Sequence, residues 1–109
     1  MRIWVDDIRP CPYSASSDWI WCRSVNMVKL VIEAAERRGT GIDLLDLDHD
    51  AGEYAGKGGD YIRLLDWLEE TGRSYPVHIH SQNPVGVQNM RRIIERNGWE
   101  EVFHVQRYQ

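Results

Sequence analysis

The stretch Ile42-Asp-Leu-Leu-Asp-Leu-Asp-His-Asp-Ala-Gly52 decides how this chain is read. It begins as a buried strand and ends abruptly in three ionisable side chains, Asp48, His49 and Asp50, just before a glycine. An α/β protein delivers reactive groups to the carboxyl edge of a parallel sheet in this way. Two other segments share the pattern. Arg2 to Asp7 (Arg-Ile-Trp-Val-Asp-Asp) closes on paired carboxylates, and Val77 to Asn83 (Val-His-Ile-His-Ser-Gln-Asn) closes on a histidine, a hydroxyl and an amide. These three strand ends are expected to meet in one site.

Outward from that stretch, strands are expected at Arg2 to Asp6, Trp19 to Cys22, Ile42 to Asp48, Pro76 to His80 and Glu101 to Val105. Ser24 caps a first helix whose apolar residues Met27, Val28, Leu30, Val31, Ala34 and Ala35 recur at helical spacing, with Arg37, Arg38 and Gly39 closing it. A second helix runs from Asp60 to Glu70 and a third from about Val87 to Arg96, after the turn Asn83-Pro84-Val85-Gly86. Ile8 to Ser17, with its prolines and serines, reads as a loop, and Glu53 to Gly59 as a glycine-rich one. Strand, helix and strand in succession imply right-handed crossovers and a parallel sheet. The resulting expectation is an α/β fold of the flavodoxin-like kind, with five parallel strands in the order 2-1-3-4-5. In that order strands one, three and four are neighbours, which is the physical ground for a shared site.

No helix is read between strands one and two or after strand five, so about three helices should lie mainly on one face. Alternation puts Ile3, Val5, Ile20, Cys22, Leu45, Leu47, Val77, Ile79, Phe103 and Val105 on that face. The other face shows Arg2, Trp4, Trp19, Trp21, Asp46, His78 and His104. Burying unpaired polar groups there costs about a few kcal/mol each. Either the Ile8 to Ser17 loop covers this face in part, or a second subunit does; a homodimer through the tryptophan-rich face is one expectation.

The 109 residues suffice for a single domain, 1–109, with one modest core. A net charge of −4 argues against a protein that holds duplex DNA by bulk phosphate neutralisation, but leaves room for a small anion held locally. Cys11 and Cys22 lack metal-ligand spacing, and no secretory leader is read at the amino terminus; free thiols and a cytoplasmic location are expected. No apolar run approaches membrane-spanning length.

Asp6, Asp7 and Asp48 form a carboxylate cluster at adjacent strand ends. Like charges so close are costly without a cation among them, and hard oxygen ligands suit Mg²⁺ or Mn²⁺. The plainer alternative has Asp7 capping the loop or pairing with Arg9. Asp46 is read as structural, paired with Arg2 or His78. His49 and His80 are the proton-transfer candidates, because imidazole titrates near neutrality. Asp50 orients His49, completes the metal shell, or stabilises the turn before Gly52. Ser81 and Asn83 offer donors for a phosphate oxygen, the amides of Gly86 and Val87 a helix-start anion site, and Asn89 is placed in the first turn of that helix. Arg9 and Arg91 are available cations. Gly56-Lys-Gly-Gly lacks the ending of a P-loop and reads as a mobile lid at most, and no Gly-x-Ser-x-Gly elbow occurs.

At these residues the chain resembles receiver domains of two-component signalling. Asp6-Asp7 ends strand one, Asp48 ends strand three at the phosphoacceptor place, and Ser81 ends strand four where receivers carry Ser or Thr. It departs from them in having Gln106 and Arg107, not Lys, after strand five, and in adding His49, Asp50 and His80. It is more closely similar to the cyclic-phosphate processing receiver domains, in Asp6-Asp7-Ile8-Arg9-Pro10, in Leu47-Asp48-His49-Asp50-Ala51-Gly52, and in His80-Ser81-Gln82-Asn83-Pro84-Val85-Gly86 with Asn89-Met90. The resemblance implies a receiver-like fold without its first and last helices. It also implies a metal-assisted phosphoesterase for a cyclic phosphate, either an RNA terminal 2′,3′-cyclic phosphate or a cyclic nucleotide. The roles expected are catalytic for His49, His80, Asp48 and Asp50, metal-binding for Asp6, Asp7 and Asp48, and substrate-binding for Arg9, Ser81, Asn83, Gly86 and Asn89. The alternative is a degenerate receiver that binds Mg²⁺ or is phosphorylated on Asp48 and acts as a protein-interaction switch. A third reading is a binding module whose aromatic face docks a protein or a base.

Overall fold

The computed structural model describes residues 1–13 and 18–105; the end of the proline- and serine-rich loop and the tail with Gln106 and Arg107 lie outside the described residues. Four parallel strands, β1 (Arg2–Val5), β2 (Trp19–Cys22), β3 (Leu44–Leu47) and β4 (Val77–Ile79), form a sheet in the order β2-β1-β3-β4. The helices are α1 (Val25–Arg38), α2 (Ile62–Thr71) and α3 (Pro84–Asn97). Ser24 caps α1 by accepting from the Met27 amide, and Gly39, at φ 72°, closes it in the left-handed conformation that glycine adopts without a Cβ clash.

The expected fifth strand is reduced to one parallel bridge, Val77 with Glu101. The chain then leaves the sheet: Val102 returns one bond to the Val77 carbonyl, its own carbonyl faces Nδ1 of His78, and Phe103 stands exposed. The alternation of Phe103 and Val105 matched a strand, but too few apolar side chains follow Glu101 to hold one against the sheet. The glycine-rich segment contains a short 3-10 turn, Gly52–Gly56. The third helix starts three residues earlier than expected, because Pro84 fits the first helical position and Asn83 caps it by accepting from the Gly86 amide.

Ile3, Val5, Leu45, Leu47 and Val77 join the buried sides of all three helices in one apolar cluster, as the alternation requires. The opposite face is covered in part by the loop. Tyr13 stacks on Trp19 with ring centres 4.9 Å apart and meets Trp4 edge-on at 6.0 Å, and the Trp4 indole N–H donates to the Arg9 carbonyl at 2.7 Å. Trp4 is consequently buried, which removes one of the exposed indoles that pointed to a second subunit.

Candidate functional site

Strand register builds the site. Val5 is paired with Leu47, and Leu47 with Ile79, so the next residues of the three strands, Asp6, Asp48 and His80, emerge at the same level of the sheet. Each of Asp6, Asp7 and Asp48 offers a carboxylate oxygen within 4.8 Å of the other two. Gly52 makes the approach possible: its φ is +54°, and a Cβ there would lie 2.3 Å from an Asp7 oxygen.

The three acids are not equivalent. Burial works to raise Asp6, but the amides of Arg9 and Ile8, the His80 ring and the Arg9 guanidinium outweigh it and hold the carboxyl below its ordinary value. Asp6 Oδ1 accepts from the Ile8 and Arg9 amides, and Oδ2 from Arg9 Nε at 2.9 Å. Asp6, then, and not Asp7, closes the loop and pairs with Arg9. Burial pushes Asp7 above its ordinary value, and the charges of Asp6 and Asp48 push the same way. A group in that position gains from a nearby cation. Arg9 supplies a cation to the other two acids, its Nε 2.9 Å from Asp6 Oδ2 and its Nη2 3.3 Å from Asp48 Oδ2.

The two histidines differ sharply. His80 stacks on Trp4, ring centres 3.8 Å apart and ring planes nearly parallel. Its Nδ1 lies 2.7 Å from Asp46 Oδ1 and its Nε2 3.0 Å from Asp6 Oδ2. Both ring nitrogens are thus engaged with carboxylate oxygens. Asp46, fully buried two residues before Asp48, is the residue sequence reasoning undervalued: its main partner is His80, with His78 Nε2 at 4.0 Å. The signal that could have found it is the register, since Asp46 is paired with His78 and faces the ring two residues further on. Asp46 Oδ2 is buried with no hydrogen-bond partner among the described residues.

His49 sits at the rim. Its Nδ1 lies 2.9 Å from Asp50 Oδ1, and Nε2 has no hydrogen-bond partner among the described residues. A carboxylate at Nδ1 places the proton there and leaves the lone pair on Nε2. The ring packs on the start of α3, where a Cβ on Gly86 would fall 2.5 Å from it. Gly86 therefore matters as a gap for the ring. Its amide is taken by the Asn83 side chain and the Val87 amide by the Asn83 carbonyl, so neither serves as the expected anion site.

Ser81 accepts from the Asn83 amide, and the Asn83 Nδ2 approaches Asp50 Oδ2 at 3.5 Å. Both residues shape the turn beneath His49 and Asp50. Asn89, because α3 begins at Pro84, lies in its second turn and accepts from Arg92 at 3.1 Å. Arg91 is engaged in a two-pronged pair with Glu101. Cys22 is buried with its thiol pushed up to about 12 by burial, and both cysteines are free.

A parallel sheet carrying a three-carboxylate pocket at the ends of β1 and β3 defines a receiver-like α/β domain. Within that class the chain belongs to the cyclic-phosphate processing receiver domains, whose family model matches residues 1–96. No curated protein and no solved structure matches the chain. Membership ties the domain to cyclic-phosphate processing, and the acidic cluster is of the kind that holds a metal ion. No helix among the described residues is long and apolar enough to cross a membrane.

Proposed function

We propose that this protein is a metal-assisted phosphoesterase that opens a cyclic phosphate diester to a monoester. One observation carries the reading: an Asp50–His49 couple whose Nε2 has no partner among the described residues adjoins, one residue along the chain, the Asp6, Asp7 and Asp48 cluster. The donor set fits a hard divalent cation, Mg²⁺ or Mn²⁺, which when bound offsets charge on the phosphoryl oxygens.

The chain's own residues do the rest. Asp50 holds the His49 ring with Nε2 outward, and Nε2 takes a proton from the attacking water as its oxygen bonds to phosphorus. The ring P–O bond breaks, and the ribose oxygen that leaves takes a proton from solvent. Arg9, already spanning Asp6 and Asp48, is placed to turn its guanidinium to a non-bridging oxygen. His80 is a positioning residue in this scheme, acting through Asp6. Ser81, Asn83 and Gly86 support the couple from below.

The test is a panel of cyclic and linear nucleotides assayed with Mg²⁺, Mn²⁺ and chelator. Metal-dependent turnover of cyclic esters alone is expected; linear esters turned over equally well, or no turnover anywhere, would sink the proposal. If beryllofluoride instead shifts amide resonances around Asp48 and no ester is cleaved, the domain is a phosphorylation switch.

A further inference from the structure

A cavity of about 410 Å³ is walled by Trp21, Arg23, Asn26, Met27, Tyr54 and Lys57. We infer that it holds the nucleoside of the substrate, a base with its ribose, while the cyclic phosphate reaches the cluster; the inference rests on the phosphoesterase reading for its second half.

Position comes first. The Trp21 indole N–H donates to the Asp6 carbonyl at 2.8 Å, so one aromatic wall is fastened to the residue that begins the acidic cluster. Tyr54 stands in the 3-10 turn that opens at Gly52, the glycine against the Asp7 carboxylate. Both aromatic walls are thus covalently or directly tied to the place where phosphate chemistry is proposed.

Chemistry comes second. The Arg23 guanidinium lies 4.1 Å over the Trp21 ring, and its Nη1 donates to the Tyr54 hydroxyl at 3.2 Å. Its main-chain carbonyl is held by the buried Tyr61 hydroxyl at 2.7 Å. A guanidinium plane laid on one aromatic ring and tied by its edge to the hydroxyl of a second is a platform on which a base stacks. Among the described residues the lining includes Arg23 and Lys57 and no carboxylate, in a chain whose net charge is −4, so the cavity favours an anion locally. The exposed Met27 gives an adaptable apolar edge. The volume lies in the range of small-molecule sites.

The wall at Gly56-Lys-Gly-Gly is packed against the start of α1. The Asn26 amide donates to the Lys57 carbonyl at 3.2 Å, and a Cβ on Gly58, at φ +109°, would meet Asn26 Oδ1 at 2.6 Å and Val25 Cβ at 2.9 Å. Close packing against the start of α1, which only glycine permits, holds Lys57 at the cavity's mouth.

The test titrates the full chain, without metal, with adenosine 2′,3′-cyclic phosphate and in parallel with a trinucleotide ending in the same group, following the Trp21 indole N–H resonance. Baseless ribose cyclic phosphate is the control. We expect both nucleotide probes to shift Trp21, the control to leave it unmoved, and Arg23→Gln and Lys57→Gln, both at exposed side chains, to weaken binding at least about tenfold. A tighter trinucleotide marks an RNA end as the source, and equal affinities a free nucleotide. Shifts confined to Asp48 and His49, or affinities unchanged in both variants, would overturn the inference even if cyclic esters are hydrolysed. Base-dependent shifts at Trp21 without any turnover would keep the pocket and remove the phosphoesterase reading alone.

Discussion

His49 and His80 stand at the ends of β3 and β4, two strands that are neighbours in the sheet, yet their surroundings give them opposite properties. His80 is wedged between Asp46 and Asp6 against an indole face, every polar atom of its ring committed. Among the described residues His49 has one carboxylate partner, one bare nitrogen and a glycine beneath it. The difference teaches that a histidine at a strand end is a proton carrier only when one nitrogen is left unpartnered. A second carboxylate turns the same ring into a strut.

The largest effect that would break this contrast is on turnover. His49→Ala is expected to lower kcat on a cyclic ester by about 10²–10⁴, the usual worth of a general base, while its urea midpoint stays close to the parent's. Activity preserved in this variant would remove His49 from the reaction.

His80→Ala should act in the reverse order. Removing the partner of two buried carboxylates is expected to cost about 3–5 kcal/mol of stability, read from urea unfolding. A His80→Ala chain as stable as the parent would show that the Asp46–His80–Asp6 chain does not hold the sheet edge.

Next in size is the response to metal and pH. Asp7, raised in the folded state, contributes stability below its unfolded value and loses it as pH rises through the folded value, so at neutral pH its charge is a liability. Asp6, lowered, contributes above its unfolded value and loses that contribution as pH falls through the folded one. Mg²⁺ at about a hundred times its dissociation constant should then stabilise the protein by about 2.7 kcal/mol at neutral pH, and much less once the carboxylates are protonated. Thermal melts at the two pH values check this. Equal stabilisation at both, or the same gain in Asp7→Asn, would place the ion elsewhere.

The smallest test sharpens the His49 side alone. Gly86→Ala puts a methyl where the ring now lies, at a helical position whose φ any residue adopts. Displacement of the ring should lower kcat about tenfold to a hundredfold, with a loss of about 1–3 kcal/mol in stability from overpacking. Parent-like kinetics would mean that the ring's seat on α3 is immaterial.

What was legible in the chain were features that local chemistry encodes. The Ser24 cap, the glycine stop at Gly39 and the apolar alternation of β1 and β3 announced their elements. Asp6, Asp7 and Asp48 were read as one cluster because neighbouring parallel strands end together. Glu101 to Val105 misled because alternation cannot report whether a strand finds enough apolar cover, and Phe103 finds none. That Gly58, beside Lys57, packs against α1 was not legible, because the contact joins segments far apart in the chain.

The order of residues by itself determined the sheet's central strands, the helices and the acidic strand ends, since hydrophobic period and capping are properties of short segments. Tertiary structure alone decided which carboxylate faces which ring: that Asp46 and Asp6 close on His80, that Asp50 leaves one nitrogen of His49 bare, and that Trp21, Arg23 and Tyr54 converge on a cavity. Those outcomes depend on strand register and on side chains from segments far apart in the chain, distances that no local pattern carries.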